Sequence, residues 1–352
     1  MNNRSFQQVI ERTAYGALVG VVFEILNLEF RPLLLLISGL IGASIGFFTA
    51  LLDRWLYKTK LRRRKFYIVL IVRTLAYLLV ISVSLLVFYA IYSILFAKNE
   101  GLSVLERENL EIWLRSGDFA YAVLYILVIL LVVQFITLVS RLMGPNILIN
   151  YFLGRFHVPK EEERIFMFMD LRSSTTIAEL LGHLKWHYFL NDFFYDIAEP
   201  VRKSRGEIYQ YVGDEVVVSW PKEIGLKKLN CIHAFFDIYN RMAERKEYYL
   251  ETYGYEPVFK AGYHVGMVVI GEIGDFKRDV VFHGDTVNTA SRIQTECNHY
   301  NRRLLLSDTL LDQLNLGEEY TSEYITKIKL RGKEQILELH SLDPVDIENV
   351  PT

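Results

Sequence analysis

Arg164-Ile165-Phe166-Met167-Phe168-Met169-Asp170-Leu171-Arg172-Ser173-Ser174-Thr175-Thr176 is the stretch that decides how the second half of the chain is read. Arg164 to Met169 is a short apolar run of buried-strand type, and it stops at an aspartate. Ser173, Ser174 and Thr175 then open a helix-like pattern from Ile177 to Leu190. A carboxylate at a strand end, followed by small hydroxyl residues at a helix start, suits a metal-bound phosphate. The first backbone N–H groups of the helix face the phosphate oxygens, and Asp170 offers a hard oxygen ligand to a cation such as Mg²⁺. Capping of the helix by Asp170 and Ser173 is the plain structural alternative.

Downstream, Gly206-Glu207-Ile208-Tyr209-Gln210-Tyr211-Val212-Gly213-Asp214-Glu215-Val216-Val217-Val218-Ser219-Trp220 places two β-rich runs on either side of Gly-Asp. That is the strongest short hairpin signal in the chain. Two aspartates from adjacent strands, Asp170 and Asp214, could hold two metal ions that activate a nucleophilic oxygen and stabilise a leaving phosphate. Further on, Phe282-His283-Gly284-Asp285-Thr286-Val287-Asn288-Thr289-Ala290-Ser291-Arg292 sets Asn288 and Arg292 four apart, on one face of a helix. Arg292 is suited to charge building on a transferring phosphoryl group, and Asn288 to orienting a ribose. A solvated helix face capped by Asp285 would leave the same residues.

Together, in this order, these elements resemble the catalytic domain of class III adenylate and guanylate cyclases over residues 160–342. Phe168-Met169-Asp170 through Thr175, the Gly213-Asp214 hairpin and Gly284 through Arg292 match three of the family's motifs. Gly262-Tyr263-His264-Val265-Gly266 and Gly271-Glu272-Ile273-Gly274 match its glycine-rich strand pair, and Leu330-Arg331-Gly332-Lys333 resembles its phosphate-reaching basic segment. The resemblance implies a ferredoxin-like α/β core and a head-to-tail homodimer. It implies Mg²⁺ or Mn²⁺, two ions per active site, on Asp170, Asp214 and the carbonyl of Leu171. Asn288 and Arg292 would come from the other subunit, while Ser173, Ser174, Thr175, Arg331 and Lys333 would bind the substrate's phosphates. The ribose 3′-hydroxyl of ATP would attack the α-phosphate, and pyrophosphate would leave. The base-reading positions fall on Gln210, Val281 and the backbone of Phe282. Gln210 is an amide, able to donate and to accept, and not the guanine-type glutamate, so ATP is the expected substrate. GTP is the alternative, and a catalytically silent nucleotide-binding receptor is a second one. Diguanylate cyclases share the Gly-Asp-Glu hairpin but have no counterpart of the Asn288/Arg292 segment.

The first half reads differently. Leu33–Leu52, Thr74–Phe96 and Phe119–Val139 are uncharged runs of bilayer-spanning length, and Thr13–Leu28 is a shorter one that carries Glu24. The expectation is a four-helix transmembrane domain over 1–141, a connector over 142–159, the catalytic domain over 160–342 and a tail over 343–352. Lys58, Lys60, Arg62, Arg63, Arg64 and Lys65 should stay in the cytoplasm, which places the second half there too, on a cell membrane. The membrane domain is then where an unknown stimulus would act. Arg73 at a span edge reads as snorkelling. Leu148, Phe152 and Phe156, four apart, suggest a short amphipathic connector.

A net charge of -2 gives no reason to expect nucleic acid as a partner. Cys231 and Cys297 fit neither a disulfide framework nor a zinc site, and read as reduced thiols. Glu161, Glu162 and Glu163 read as a solvated run ahead of the first strand, and His264 and His283 as strand or turn residues. Trp186, Tyr188, Phe189, Phe193, Phe194 and Tyr195 are spaced for one buried helix face.

Overall fold

The structure is a computed structural model that describes residues 3–26, 32–58, 64–96, 117–143, 147–329 and 336–345. They fall into two compact units, Met1–Met143 and Gly144–Thr352.

The first unit is built of α1 (Asn3–Leu26), α2 (Pro32–Lys58), α3 (Phe66–Phe96) and α4 (Gly117–Met143). Each expected span falls on one of them, although α1 starts at Asn3 rather than Thr13, and Asn27 and Leu28 lie outside the described residues. So do Lys60, Arg62 and Arg63 of the basic cluster, and the side chain of Glu24. Among the described residues, two stretches are long and apolar enough to cross a membrane, Leu35–Trp55 and Phe66–Phe88, and Leu127–Ser140 is a shorter apolar one. The polarity of these helices is inside out. Leu36, Leu75, Leu79 and Leu86 are exposed, whereas Asp53, Arg73, Thr74 and Gln134 are buried. Asp53 on α2 accepts from Arg12 on α1 and from Arg73 on α3, each at 2.6 Å, so Arg73 turns inward to a partner rather than snorkelling. Helices α1 and α2 approach at backbone contact through Gly16 and Gly20 on one and Gly42 and Gly46 on the other. A Cβ at Gly16 would strike the Gly42 carbonyl, which is the small-residue spacing of packed apolar helices.

The second unit opens with α5 (Ile147–Phe152) and β1 (Lys160–Leu171). There follow α6 (Ser174–Lys203), β2 (Glu207–Val212), β3 (Glu215–Pro221), α7 (Lys222–Leu226), α8 (Asn230–Glu244) and α9 (Lys246–Tyr253). Next come β4 (Phe259–Ile273), β5 (Asp279–His283), α10 (Asp285–His299), β6 (Leu304–Ser307), α11 (Asp308–Leu311), β7 (Tyr320–Lys329) and β8 (Ile336–Pro344). The sheet runs β2-β3-β1-β4-β6-β8-β7, with β5 paired to β4. Its heart, β1-α6-β2-β3-α8-β4, is the ferredoxin-like unit.

Strand β1 is central and buried on both faces, which explains its unbroken apolar run. Ile165, Met167 and Met169 pack with Phe189, Phe193 and Ile232 on one face. Phe166 and Phe168 pack with Val217, Val268 and Ala290 on the other.

Four expectations change. Strand β1 takes in Glu161, Glu162 and Glu163, because the long β4 pairs with it as far as Lys160, and Glu163 meets Lys222 at 2.8 Å. The helix from Ile177 is broken at Gly182, whose φ is 71°, and then runs on to Lys203. Tyr188 and Tyr195 lie outside its buried face. Helix α5 ends at Phe152, which is 88% exposed, so no apolar face runs on to Phe156. Instead Tyr151 donates to Glu272 of β4 at 2.8 Å.

Gly262 on β4 is where α10 presses on the sheet. A Cβ there would strike the Gln294 backbone and come within 2.8 Å of the Ala290 carbonyl. Gly262→Ala should therefore destabilise the protein by about 1–3 kcal/mol, read from denaturant unfolding. An unchanged midpoint would show that α10 yields without cost.

Candidate active site

The register of the central strands assembles an acidic corner. Met169 of β1 lies opposite Val216 of β3, so Asp170 reaches the base of the β2–β3 turn. Val212 pairs with Glu215, leaving Gly213 and Asp214 as a two-residue turn, with Gly213 at φ 65°, a conformation that favours glycine. The Asp170 and Asp214 carboxyl groups stand within hydrogen-bonding reach of one another.

Two facing carboxylates offer only acceptors, so they bond to each other only if one keeps a proton. Burial, then the neighbouring Asp214, pushes the Asp170 carboxyl up to about 6. Burial, Asp170 and Asp214 push Glu215 up to about 7. Oδ2 of Asp214 is buried and has no hydrogen-bond partner among the described residues. An orphaned buried acceptor beside a second carboxylate is what a divalent cation satisfies, so the residues fit a hard metal ion. Among the described residues no group of three or more His, Cys, Asp or Glu converges as a metal cluster. The remaining ligands would have to come from elsewhere, the Leu171 carbonyl next to Asp170 being in place to serve.

Two residues at this corner escaped the sequence reading. Lys260, opposite Asp170 in the β1–β4 ladder, is buried with its Nζ 3.2 Å from Asp170 Oδ2. Gln294 of α10 donates to the same oxygen at 3.1 Å. A lysine inside an otherwise apolar strand run was the available signal, but its partner depends on register.

Beyond Leu171 the chain turns through Ser173, which has φ 55° and makes no side-chain cap to α6. Ser174 and Thr175 form the first turn of that helix, so its leading N–H groups lie just past the carboxylates. Helix α10 buries Thr286, Thr289, Ala290, Ile293, Gln294 and Cys297. Asn288 is exposed and Arg292 half-buried. At 3.6 residues per turn, Arg292 stands roughly 200° around the helix from Gln294, so it is aimed away from the Asp170 of its own chain. The structure therefore brings Asp170, Leu171 and Asp214 together, and sets Asn288 and Arg292 on another surface.

The positions expected to read the base lie on β2 and β5. Gln210 is exposed on β2, and Val281 and Phe282 are half-buried on β5. Tyr209 meets Phe282 at 4.9 Å between ring centroids, although β3, β1 and β4 separate their strands within the sheet. Arg331 and Lys333 lie outside the described residues. His264 is buried against Ser307 at 2.8 Å, and His283 is exposed on β5. Both cysteines are buried and free.

Comparison with known proteins bears on this half of the chain. A family model described as the adenylate and guanylate cyclase catalytic domain matches residues 157–342. Adenylate cyclase 2 of Rhizobium meliloti (strain 1021) is 34% identical over 208 residues, 59% of this chain and 57% of that protein. Adenylate cyclase of Anabaena cylindrica is 25% identical over 181 residues, 50% of this chain and 36% of that protein. The match thus spans little more than half of the first relative and about a third of the second. A solved bacterial light-regulated adenylyl cyclase superposes with a TM-score of 0.55 at 18% identity, over 65% of this chain and 67% of that one, which shows the shared fold.

The raised Asp170 carboxyl has a stability consequence. The folded state holds its proton more tightly than the unfolded chain, so this contribution is present below the ordinary carboxylate range and is lost as pH rises through about 6. Metal-free Asp214→Asn should therefore melt above the wild type at pH 7.5 in detergent. Mn²⁺ should raise the melting temperature of the wild type and leave that of the variant unmoved. Equal shifts in both would mean that the carboxylate pair is not where the ion binds.

Proposed function

The chain belongs to the family of adenylate and guanylate cyclase catalytic domains, and from that premise we propose that it is a membrane-anchored adenylate cyclase working as a head-to-tail homodimer. The observation that carries the reading is the facing pair Asp170 and Asp214, with its orphaned buried oxygen, at the head of the loop that opens α6.

In this reading Asp170, Asp214 and the Leu171 carbonyl would hold two Mg²⁺ or Mn²⁺ ions, which would supply Lewis acidity for the attack of the ribose 3′-hydroxyl on the α-phosphate. Ser173, Ser174 and Thr175 offer their hydroxyls and the first N–H groups of α6 to phosphate oxygens. Lys260 and Gln294 hold Asp170 by one oxygen and leave the other for an ion. Arg292 brings a guanidinium to the charge that builds on the α-phosphate, and Asn288 orients the ribose. Arg292 lies on the side of α10 opposite Gln294, which holds Asp170, and this supports a site shared between two copies. Arg331 and Lys333 are assigned to the departing pyrophosphate by family resemblance alone.

ATP is favoured over GTP on two grounds. Gln210 stands where a guanine-reading glutamate would, and the relatives at 34% and 25% identity are named as adenylate cyclases. Membrane anchoring is supported by the reversed polarity of α1–α4, with leucines outward and the Asp53–Arg73 ion pair inward. An intramembrane charge survives when it faces partners inside a bundle. The catalytic unit is then cytoplasmic, on the side of the basic cluster around Arg64 and Lys65.

Full-length protein in detergent with Mn²⁺ should convert ATP to cyclic AMP faster than GTP to cyclic GMP. Asp170→Ala, Asp214→Ala and Arg292→Ala should each lose at least about 100-fold in kcat. Mixing Asp214→Ala with Arg292→Ala subunits should restore part of the activity, because one of the two shared sites is then intact. No recovery on mixing, with both variants folded and dimeric, would overturn the shared site.

A further inference from the structure

We infer that the catalytic unit rests on the lipid surface through α5 and the tip of the β4–β5 hairpin, with Phe152 and Phe276 set at the boundary between headgroups and acyl chains. The inference rests on the membrane-anchored reading and goes beyond it.

Helix α5 has an inner and an outer side. On the inner side, Tyr151 donates to Glu272 of β4 at 2.8 Å. Ile149 and Leu153 lie two residues to either side of Tyr151, roughly 200° around the helix from it. The helical turn still takes in Leu153, whose N–H bonds the Ile149 carbonyl at 2.9 Å. Ile149, Phe152 and Leu153 are 59%, 88% and 57% exposed. At spacings of three and four they form one apolar stripe, turned away from the sheet.

A second apolar feature stands at the same edge. Strand β4 pairs with β1 as far as Ile270, opposite Lys160, and then continues against β5 to Ile273. The hairpin therefore projects three residues, about 10 Å, past the start of β1. At its tip Phe276 is fully exposed. Glu272 moors this hairpin to α5 and the loop after it. Its carboxylate accepts from both Tyr151 and Arg278, and its N–H goes to the Phe156 carbonyl at 3.0 Å. Stripe and tip are thus held to one end of the sheet, the end at which the chain enters it.

The tether decides what covers these residues. Only Gly144, Pro145 and Asn146 separate α4 from α5, so Ile147 lies within about 14 Å of Met143. The polar layer of a bilayer leaflet is itself roughly 5–8 Å deep. A helix tied that closely to a membrane span, with its apolar stripe on the side away from its own domain, meets the interface before it meets bulk water. Aromatic rings are favoured at that depth. Lys277 pairs with Asp279 and Arg278 with Glu272, so the attachment is apolar and needs no anionic lipid. Docking at this end leaves the acidic corner clear, because Asp170 lies ten residues, about 33 Å, farther along β1 from Lys160.

Cys231 and Cys297 are buried, so one added cysteine can carry an environment-sensitive bimane in the full-length protein. Phe152 and Phe276 are exposed, and replacing either leaves the core untouched. In phosphatidylcholine nanodiscs containing nitroxide-labelled acyl chains, the Phe152→Cys and Phe276→Cys probes should each lose about half of their emission. A probe at Leu75→Cys, on the outward side of α3, should be quenched as well. One at Val258→Cys, exposed at the opposite end of β4, should not. Quenching at Leu75 without quenching at Phe152 and Phe276 would overturn the inference. So would a blue shift at Phe152 and Phe276 that the nitroxide lipid leaves unquenched, since a second copy of the chain would then be what covers them. An unquenched Leu75 would bring down the membrane reading itself, and the inference with it.

Discussion

Two carboxylates held face to face, with too few donors between them, are the constraint around which the second unit is built. Such a pair is unfavourable by itself: burial and the neighbouring Asp214 raise Asp170 out of the ordinary acid range, and burial with the two aspartates raises the adjoining Glu215. The fold tolerates it because β1 is paired to β4 along its full length and to β3 from Arg164 to Met169, and because Lys260 and Gln294 quiet one oxygen of Asp170. Strain of this kind, kept in place by a rigid sheet, is the ordinary sign of a site that waits for a ligand. The remaining elements are arranged around this corner: α6 starts beside it, α10 lies over it, and the sheet curls so that β5 comes near β2.

Much of this was legible in the sequence because it is local. The strand that ends in Asp170, the Gly213-Asp214 turn and the helix with Asn288 and Arg292 are short-range patterns with short-range causes. What stayed hidden depends on register. Lys260 gains its meaning only when the ladder sets it opposite Asp170, and Gln294 only when α10 packs against Gly262. Tyr209 depends on a bulge that alternation of side chains does not announce. The glutamates ahead of Arg164 look like a solvated run and are nonetheless strand, because their partner strand is long. Arg73 at a span edge has the local look of a charge reaching for the interface, whereas Asp53, twenty residues earlier, draws it inward. In each case the local reading was reasonable and a distant partner changed it.

The first unit follows the reverse logic of the second. In the second, apolar residues are gathered between sheet and helices, and polar ones are turned out. In α1–α4 the outward surface is rich in leucine and valine, and the interior holds the Asp53–Arg73 ion pair and a glycine seam. One chain thus carries two opposite polarity patterns, with the change falling close to Met143.

The two cysteines give this architecture a pair of internal reporters. Cys231 sits on α8 and Cys297 on α10, in the hydrophobic layers on opposite faces of the sheet. Burial pushes each thiol up to about 12, so neither reacts with an alkylating reagent while its layer is closed. Labelling at Cys231 therefore clocks the parting of α8 from the sheet, and labelling at Cys297 the lifting of α10. The wild-type chain can accordingly tell, without any engineered probe, whether its two layers open together or one at a time.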